Sequence, residues 1–259
     1  MALAIVGIAT SQSSAGVLYE TGFEPPTFTP GLFPGQDGWF AGLGPDAATI
    51  STALPKDGLQ SVRIDGSELQ EFSGFHFGSY ARPLNYDPLA SGTPIVVLSS
   101  DINLTGTESA TCGLSVGLSA VLNGEFVANI LFGVQGQNGT LVSYISNMDG
   151  FSINGPAYTF GEWANVTAVF DFANRTATGY FNGQLIGEVT FTAGIDEGIP
   201  AMNIALGSSA PIPGTIGYVD NFSLIAVPEP GTLLMLGIGI LGLVGHTSLR
   251  GRGWRGRAA

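Results

Sequence analysis

Few residues of this 259-residue chain have the types and spacing that catalysis needs. The stretch Gly113-Leu114-Ser115-Val116-Gly117 matches the G-x-S-x-G nucleophile elbow, whose serine sits on a strand–turn–helix corner. Here the motif lies inside an unbroken alternation of apolar and small residues, and no helical pattern follows it. A serine triad would also need His76, the one histidine that precedes the C-terminal tail. We therefore assign this stretch to structure and not to catalysis.

Zinc catalysis has too few ligands in the body of the chain. Before the tail, only His76 and Cys112 supply the nitrogen and sulfur atoms that zinc sites use. We expect His76, in GFHFGSYARP, to be a packed strand histidine. A lone cysteine also rules out an intramolecular disulfide.

Charge is distributed unevenly along the chain. The formal net charge is −12, yet residues 1–229 hold all twenty acidic side chains and only four basic ones. Such an acidic body repels nucleic-acid phosphates and anionic membrane surfaces, so nucleic-acid binding is excluded. Divalent cations and neutral glycans remain compatible with it.

The two ends differ from the body. The opening MALAIVGIATSQSSAG fits either a first β-strand or a partial signal peptide, and we predict a signal peptide over residues 1–16. Near the other end, Thr232 to Leu249 gives 18 residues without a formal charge, enough for a helix of roughly 27 Å that spans a bilayer. Basic residues stay on the cytoplasmic side of membranes, which places the body outside. The cytoplasmic tail then carries Arg250, Arg252, Arg255 and Arg257.

The order of these C-terminal features resembles a known signal. Val227-Pro228-Glu229-Pro230, an apolar helix and a terminal arginine cluster are similar to the PEP-CTERM sorting signal of bacteria that export proteins in connection with exopolysaccharide or biofilm. The resemblance implies recognition and processing by exosortase, a membrane enzyme, with Pro228, Glu229 and Pro230 as the recognition element. It also implies export, transient anchoring by the helix, and a final place at the cell surface or outside the cell. The sorting signal would occupy residues 227–259.

Periodicity predicts an all-β body over residues 17–226. From Ala110 to Leu122 apolar residues alternate with small ones, which indicates a strand with one buried face. Asn-Gly pairs, typical of tight hairpins, occur at 123–124, 138–139, 154–155 and 182–183. A dozen or so short strands predict an antiparallel β-sandwich of jelly-roll type. Strands are expected at 49–54, 61–64, 94–104, 126–134 and 217–227, with a three-stranded meander over 163–191.

The body also resembles concanavalin A-like lectin/glucanase sandwiches. The likeness is carried by the opening YETGFE (residues 19–24), the closing GYVDNFSL (residues 217–224), Gly38-Trp39 and the meander at Trp163. In such jelly rolls the first and last strands pair and can share a structural calcium ion. The resemblance therefore makes Glu24 and Asp220 candidate calcium ligands. The alternative is that both are solvated charges at strand ends.

Aromatic side chains are the remaining candidates for a glycan platform, because sugars stack their C–H faces on aromatic rings. The chain offers Trp39, Phe40, Tyr80, Tyr86, Tyr144, Tyr158 and Trp163, of which we single out Trp39, Tyr80, Tyr86 and Trp163. The alternative for each is a place in the core.

These features predict a non-enzymatic exported protein whose sandwich binds extracellular polysaccharide. Two alternatives stay open. A glycoside hydrolase would need paired carboxylates, and the Glu-x-Asp-x-Glu triplet of the related glucanases is absent. A purely structural matrix component would need no ligand.

Overall fold

Alternation of large apolar and small residues builds the chain into an antiparallel β-sandwich. The structure is a computed structural model that describes residues 15–228, except 108–110, 123–124, 138–139, 148, 192–193 and 196–197; the side chains of residues 121–129 and 137 also lie outside the description. The described residues form two sheets and no α-helix. The all-β antiparallel sandwich predicted from the sequence is therefore confirmed.

The strands and one short 3₁₀ turn have the following bounds. They are β1 (Gly16–Thr21), β2 (Gly31–Leu32), β3 (Phe40–Leu43), β4 (Ala48–Ser51), β5 (Ser61–Asp65), the 3₁₀ turn (Gly66–Glu68), β6 (Gln70–Phe72), β7 (Phe75–Tyr86), β8 (Ile95–Gly106), β9 (Cys112–Leu122), β10 (Glu125–Gln137), β11 (Thr140–Asn147), β12 (Ser152–Ala157), β13 (Ala164–Asp171), β14 (Thr176–Phe181), β15 (Gln184–Thr190), β16 (Ile199–Ser208) and β17 (Thr215–Val227).

Chain order and sheet order differ, as expected for a jelly roll. The first sheet runs β15-β14-β13-β8-β17-β5-β4-β2, with β1 also paired to β17. The second sheet runs β12-β11-β10-β9-β16-β7-β3, with β6 paired to β7. Neighbouring strands that are distant in sequence, such as β9 and β16, hold the middle of each sheet together.

The last strand, β17, links the two ends of the body. One of its edges pairs with β8 along nearly its whole length. Its other edge pairs first with β5, through residues 216–219, and then with β1, through residues 222–226. Between the two partners lies a register shift, where Asn221 has a φ of 49° in the left-handed region. The pairing of opening and closing segments is as the resemblance implied.

Aromatic side chains fill one end of the core between the sheets. The indole of Trp39 packs 5.1 Å from the ring of Phe33 and 5.7 Å from that of Phe222, measured between centroids. Its N–H donates to the Tyr19 hydroxyl over 3.0 Å, and that hydroxyl donates to Asp37 Oδ2 over 2.8 Å. Trp39 is thus buried with its one polar atom satisfied, as a core tryptophan requires.

The predicted strands agree with the structure at most positions, while the hairpin signals agree in part. Asn182-Gly183 turns between β14 and β15 with φ values of 48° and 77°, as a tight hairpin demands. The prediction for Asn154-Gly155 is wrong, because both residues lie inside β12, where Asn154 pairs with Tyr144. The pairs at 123–124 and 138–139 lie outside the described residues.

The end segments fall largely outside the described residues. Residues 1–14 of the predicted signal peptide, Glu229, Pro230, the predicted membrane helix and the arginine tail belong to this group. Within residues 15–228, as far as they are described, no helix has the length and apolar character to cross a bilayer. The predicted domain limits therefore stay predictions.

Substitution of Trp39 by alanine tests its role in the core. We expect Trp39→Ala to lower the free energy of unfolding by about 3–5 kcal/mol, since it empties a buried site and removes the donor to Tyr19. Urea denaturation of the full chain measures the change. The control is Leu185→Ala at an exposed position, where the loss should stay within about 0.5 kcal/mol. A loss below about 1 kcal/mol for Trp39→Ala would contradict the core role.

Candidate functional site

A groove crosses the outer face of the second sheet. Because side chains alternate along a strand, the residues next to the apolar core positions of β7, β9, β10 and β16 point away from the core. These outward residues and the adjoining loop form a cavity of about 230 Å³ that we call the outer-face groove. Its lining residues are Phe75, Phe77, Thr111, Cys112, Gly113, Ser115, Leu131, Gln135, Gly136, Tyr144, Ala205, Gly207, Ser208 and Ser209.

Small residues make the floor of the outer-face groove. On the paired strands β9 and β16, Gly113 lies opposite Gly207 and Ser115 lies opposite Ala205. The ring of Phe77 leans over Gly207 so closely that a β-carbon at this position would come within 2.5 Å of the ring. Glycine at position 207 therefore leaves the space that the Phe77 ring occupies.

Aromatic and polar side chains form the two walls. One wall holds Phe75 and Phe77, whose ring centroids are 5.9 Å apart, and Phe75 is 49% exposed. The other wall holds Tyr144, whose phenol oxygen hydrogen-bonds to the Ser115 side chain. Beside it the Gln135 side chain donates to Asn154 Oδ1 over 2.8 Å. An apolar wall facing a wall of fixed hydrogen-bonding groups is typical of small-ligand sites.

Further along the same outer face the floor continues with buried polar groups. The Asn203 amide donates to Ser79 Oγ over 3.1 Å. Asn203 Oδ1 and Ser119 Oγ are both buried, and neither has a hydrogen-bond partner among the described residues. A buried polar atom without a partner is costly, so this part of the face has unused capacity to hold water or a bound group.

The structure leaves the G-x-S-x-G match in a structural role. Ser115 lies in the middle of β9 and points into the groove, but β9 continues straight through it and no helix follows among the described residues. His76 lies between Phe75 and Phe77 in β7, so its side chain points away from their face. Burial raises the pKa of the Tyr144 phenol, which makes it a poor base at neutral pH. The described lining residues thus contain no acid–base pair.

The glycan-stacking residues that the sequence suggested occupy other places. Trp39 is 1% exposed and Tyr80 is fully buried, so both belong to the core and a sugar ring has no access to them. Tyr86 is half-buried with its hydroxyl bonded to Thr93, and Trp163 is half-buried at the start of β13; neither lines the groove. Of the wider aromatic set, Tyr144 is the member that lines it.

Sequence reasoning missed Phe75 and Phe77. The signal was present in FHFGSY, where two phenylalanines two residues apart share one face of a strand. What periodicity does not reveal is which sheet that strand joins, and therefore whether its aromatic face meets the core or solvent.

Glu24 and Asp220, the predicted calcium ligands, do come together, but they bind the loop between β4 and β5, residues 52–60. Asp220 Oδ2 accepts from the backbone N–H groups of Lys56 and Asp57, at 2.9 and 3.3 Å. Glu24 Oε1 accepts from those of Leu59 and Gln60, at 2.7 and 3.0 Å. Both carboxylates therefore clamp the β4–β5 loop against the first sheet.

The alternative of solvated strand-end charges is wrong for Asp220, which is fully buried at the register shift of β17. Its other oxygen accepts from the Asn221 N–H over 2.8 Å. The Asn221 side-chain amide in turn donates to Asp57 Oδ2 and Asp101 Oδ2, at 2.8 and 2.9 Å. Neutral amide donors thus separate the carboxylates of this region.

In this arrangement N–H donors face the carboxylate oxygens that a calcium ion would bind. Among the described residues, no group of three or more acidic, histidine or cysteine side chains is placed to hold a metal ion. Calcium binding by Glu24 and Asp220 stays a prediction from the resemblance.

Electrostatics make Asp220 the least ordinary carboxylate of the site. Burial raises its pKa to about 6, three backbone hydrogen bonds oppose the rise, and the nearby Glu24 charge adds to it. Folding therefore favours the protonated form of Asp220 between about pH 4 and pH 6.

Comparisons with known proteins agree with this architecture. Residues 226–252 match the PEP-CTERM protein-sorting motif. Among curated protein sequences none matches the chain. Among solved structures, the carbohydrate esterase vb_24B_21 from Shiga toxin-encoding bacteriophage phi24B is similar with a TM-score of 0.54 at 11% identity, and the alignment covers 83% of this chain and 100% of that one.

Two further structures share the fold. An endo-beta-1,4-glucuronan lyase from the fungus Trichoderma reesei has a TM-score of 0.51 at 10% identity, covering 82% of this chain and 96% of the lyase. The Emp47p carbohydrate recognition domain has a TM-score of 0.51 at 8% identity, covering 84% of this chain and 99% of that domain. The structural similarity establishes the jelly-roll sandwich as the fold. At identities this low it carries no assignment of activity.

The raised pKa of Asp220 predicts a pH-dependent stability. Its contribution is largest below about pH 3.8 and is lost as the pH rises through about 6, so the free energy of unfolding should fall between pH 5 and pH 7.5 by about 1.4 kcal/mol. Asp220→Asn should flatten this slope. Urea denaturation of the full chain at several pH values measures it, with Asp149→Asn at an exposed position as the control.

Added calcium distinguishes two roles for Glu24 and Asp220. If these carboxylates bind only the N–H donors of the loop, added Ca²⁺ leaves the unfolding temperature unchanged. If calcium bound the ionised pair instead, Ca²⁺ would raise that temperature above pH 6 in the unmodified chain and not in Asp220→Asn. Such a rise would contradict the clamp as the sole role of these carboxylates.

Proposed function

We propose that this chain is an exported, non-catalytic carbohydrate-binding protein whose outer-face groove binds extracellular polysaccharide. The sorting motif at residues 226–252 implies export and processing by an exosortase. The sandwich is then the cargo that remains outside the cell, and binding to polysaccharide keeps it there.

The observation that carries the binding role is the construction of the outer-face groove. The exposed Phe75 and the half-buried Phe77 offer an apolar surface for the C–H face of a sugar ring. Across the floor, Ser115, Gln135 and Tyr144 offer donors and acceptors for sugar hydroxyls. The groove thus has an apolar surface and hydrogen-bonding groups in one cavity, and this combination suits a sugar.

The chemistry of the lining supports binding without turnover. Glycoside hydrolysis uses two carboxylates about 5–10 Å apart, and the described groove residues include no carboxylate. Among structures that share the fold are two enzymes and one carbohydrate recognition domain, so the fold is compatible with either role. The lining residues of the groove favour carbohydrate binding without catalysis.

The position of the sorting motif, at the end of the last strand of the sandwich, suits processing by exosortase at the membrane. The motif begins at Ala226, which still pairs with Val96 in β8 and with Gly16 in β1. Pro228, the next residue after the strand, is buried. In this proposal Pro228, Glu229 and Pro230 bind exosortase, residues 232–249 span the membrane, and the four arginines stay in the cytoplasm. The sandwich is then held close to the membrane surface until it is cut.

Phe75 tests the groove directly. We expect Phe75→Ala to weaken binding of the full chain to a neutral polysaccharide about tenfold, since a stacking surface is removed from an exposed position that the core does not need. Affinity electrophoresis against laminarin, xylan and soluble cellulose derivatives measures it. The control is Phe151→Ala, equally exposed at 55% and outside the groove.

Three outcomes separate the possible roles. Binding that Phe75→Ala weakens and Phe151→Ala preserves supports the proposal. Release of reducing sugar by the unmodified chain contradicts the non-catalytic role and favours a glycan hydrolase. Absence of binding to any polysaccharide, by a chain that unfolds cooperatively, contradicts the binding role and favours a structural matrix component.

Alanine substitutions test the sorting role of the motif. In a host that carries an exosortase, replacing Pro228, Glu229 and Pro230 together should leave the tagged chain uncut and in the membrane fraction. Glu229→Ala and Pro230→Ala are also tested singly. Loss of processing in either one shows that the effect does not come from unfolding around the buried Pro228. Pro213→Ala, at an exposed proline outside the motif, is the control. Normal processing of the triple variant would contradict the assigned role.

A further inference from the structure

We propose that the outer-face groove selects neutral glycans and rejects acidic ones, such as polymers of uronic acids. This inference rests on the proposed carbohydrate-binding function and adds a ligand class to it. Four observations carry it: the uncharged lining, the positions of the basic residues, the net charge of the body, and the size of the groove.

No described residue that lines the groove is charged. The lining consists of glycine, alanine, serine, threonine, cysteine, leucine, glutamine, tyrosine and phenylalanine. A carboxylate on each sugar unit would need a cation or several aimed N–H donors to replace its hydration. The groove offers hydroxyls, one side-chain amide and aromatic rings, which suit hydroxyl groups and C–H faces.

The basic residues of the body are placed elsewhere. Arg63 binds Asp65 over 2.6 Å, and both lie on β5 of the first sheet. Arg82 lies over the Tyr19 ring at 4.2 Å and donates to the Asp37 carbonyl oxygen over 2.7 Å. Lys56 is in the β4–β5 loop, and Arg175 is in the turn between β13 and β14. Three of the four therefore belong to the first sheet or its loops, and Arg82, on β7 of the second sheet, has its side chain directed to Tyr19 and Asp37 instead of the groove.

Long-range electrostatics act in the same direction. Residues 1–229 carry twenty acidic and four basic side chains, so the body has an excess of negative charge. An acidic polysaccharide is therefore repelled as it approaches, most strongly at low ionic strength, where screening is weak. A neutral polysaccharide experiences no such barrier.

The size of the groove limits how much of the chain it holds. Its volume of about 230 Å³ is below the roughly 300–1,000 Å³ of pockets for drug-sized ligands. The rings of Phe75 and Phe77, tilted by 40° to each other, form its apolar wall. The groove therefore holds about one sugar unit against the aromatic wall.

The test compares neutral and acidic polymers on the full chain. Binding to laminarin and xylan is measured by affinity electrophoresis and calorimetry beside binding to alginate and polyglucuronate. Each polymer is tested at about 20 mM and about 150 mM salt, between which the screening length falls from roughly 20 Å to about 8 Å. We expect the neutral polymers to bind at least about tenfold more tightly, with an affinity that changes little with salt. Phe75→Ala should weaken the neutral binding.

A charge introduced at the rim provides the reciprocal test. Ser209 is exposed and lines the groove, so Ser209→Arg places a cation there without touching the core. Binding of alginate should then rise several-fold and become salt-sensitive, so that the ratio of neutral to acidic binding falls. Ser91→Arg, exposed and outside the groove, is the control for a general change of net charge.

The outcomes distinguish this inference from the proposed function. Tight binding of uronate polymers with weak binding of neutral ones overturns the selectivity and leaves carbohydrate binding intact. Equal affinity for both classes also overturns it. Binding of neither class overturns the carbohydrate function itself. If Ser209→Arg brings no gain in alginate binding and the chain still prefers neutral polymers, charge is not discriminated at the groove. That result overturns the inference.

Discussion

The paired strands β9 and β16 carry large apolar side chains on one face and small side chains on the other. Both the core and the groove depend on that contrast. Toward the core, Leu114, Val116 and Leu118 meet Leu206, Ile204 and Met202, and all of them are buried. Toward the outside, positions 113, 115, 205 and 207 carry glycine, serine or alanine. The large side chains hold the sandwich together by removing apolar area from water. Small ones on the reverse face leave space beneath the walls of Phe77 and Tyr144.

A second constraint acts at the register shift of β17. Asp220 sits where β17 changes partner from β5 to β1, and it is buried there as a carboxylate. Burial of that group is compensated by the N–H groups of Lys56, Asp57 and Asn221. The interaction works in both directions: it satisfies the carboxylate, and it fixes a loop that has little apolar surface with which to pack. The β4–β5 loop is therefore held by hydrogen bonds to Asp220 of β17 and to Glu24 in the segment after β1, both distant from it in sequence.

The groove proposed for binding and the sorting motif lie in separate parts of the molecule. The groove lies on the second sheet, while the sorting motif begins in the last strand of the first sheet. In the proposed function, a glycan on one sheet and an exosortase at the end of the other therefore use different surfaces. The uneven charge follows the same division, because acidic residues cover the body and arginines are concentrated in the tail. An acidic body stays away from anionic headgroups although its own C-terminal segment enters the membrane in the proposed topology.

Sequence alone determined the local features, since these depend on neighbours along the chain. A period of two from Ala110 to Leu122 predicted β9 and its buried face, and Asn182-Gly183 predicted a hairpin, because pleating and turn dihedrals are local properties. Pro-Glu-Pro followed by an apolar run and arginines identified the sorting motif for the same reason. Only the tertiary structure decided which aromatic residues are accessible and what the acidic ones bind. Trp39 became a core residue because Phe33, Phe222 and Tyr19 surround it, and Phe75 became a groove wall because β7 joins β16 with that face outward. Asp220 met backbone N–H groups some 160 positions away in the chain, a pairing that no periodicity encodes, because strand neighbours are chosen by the packing of the whole sandwich.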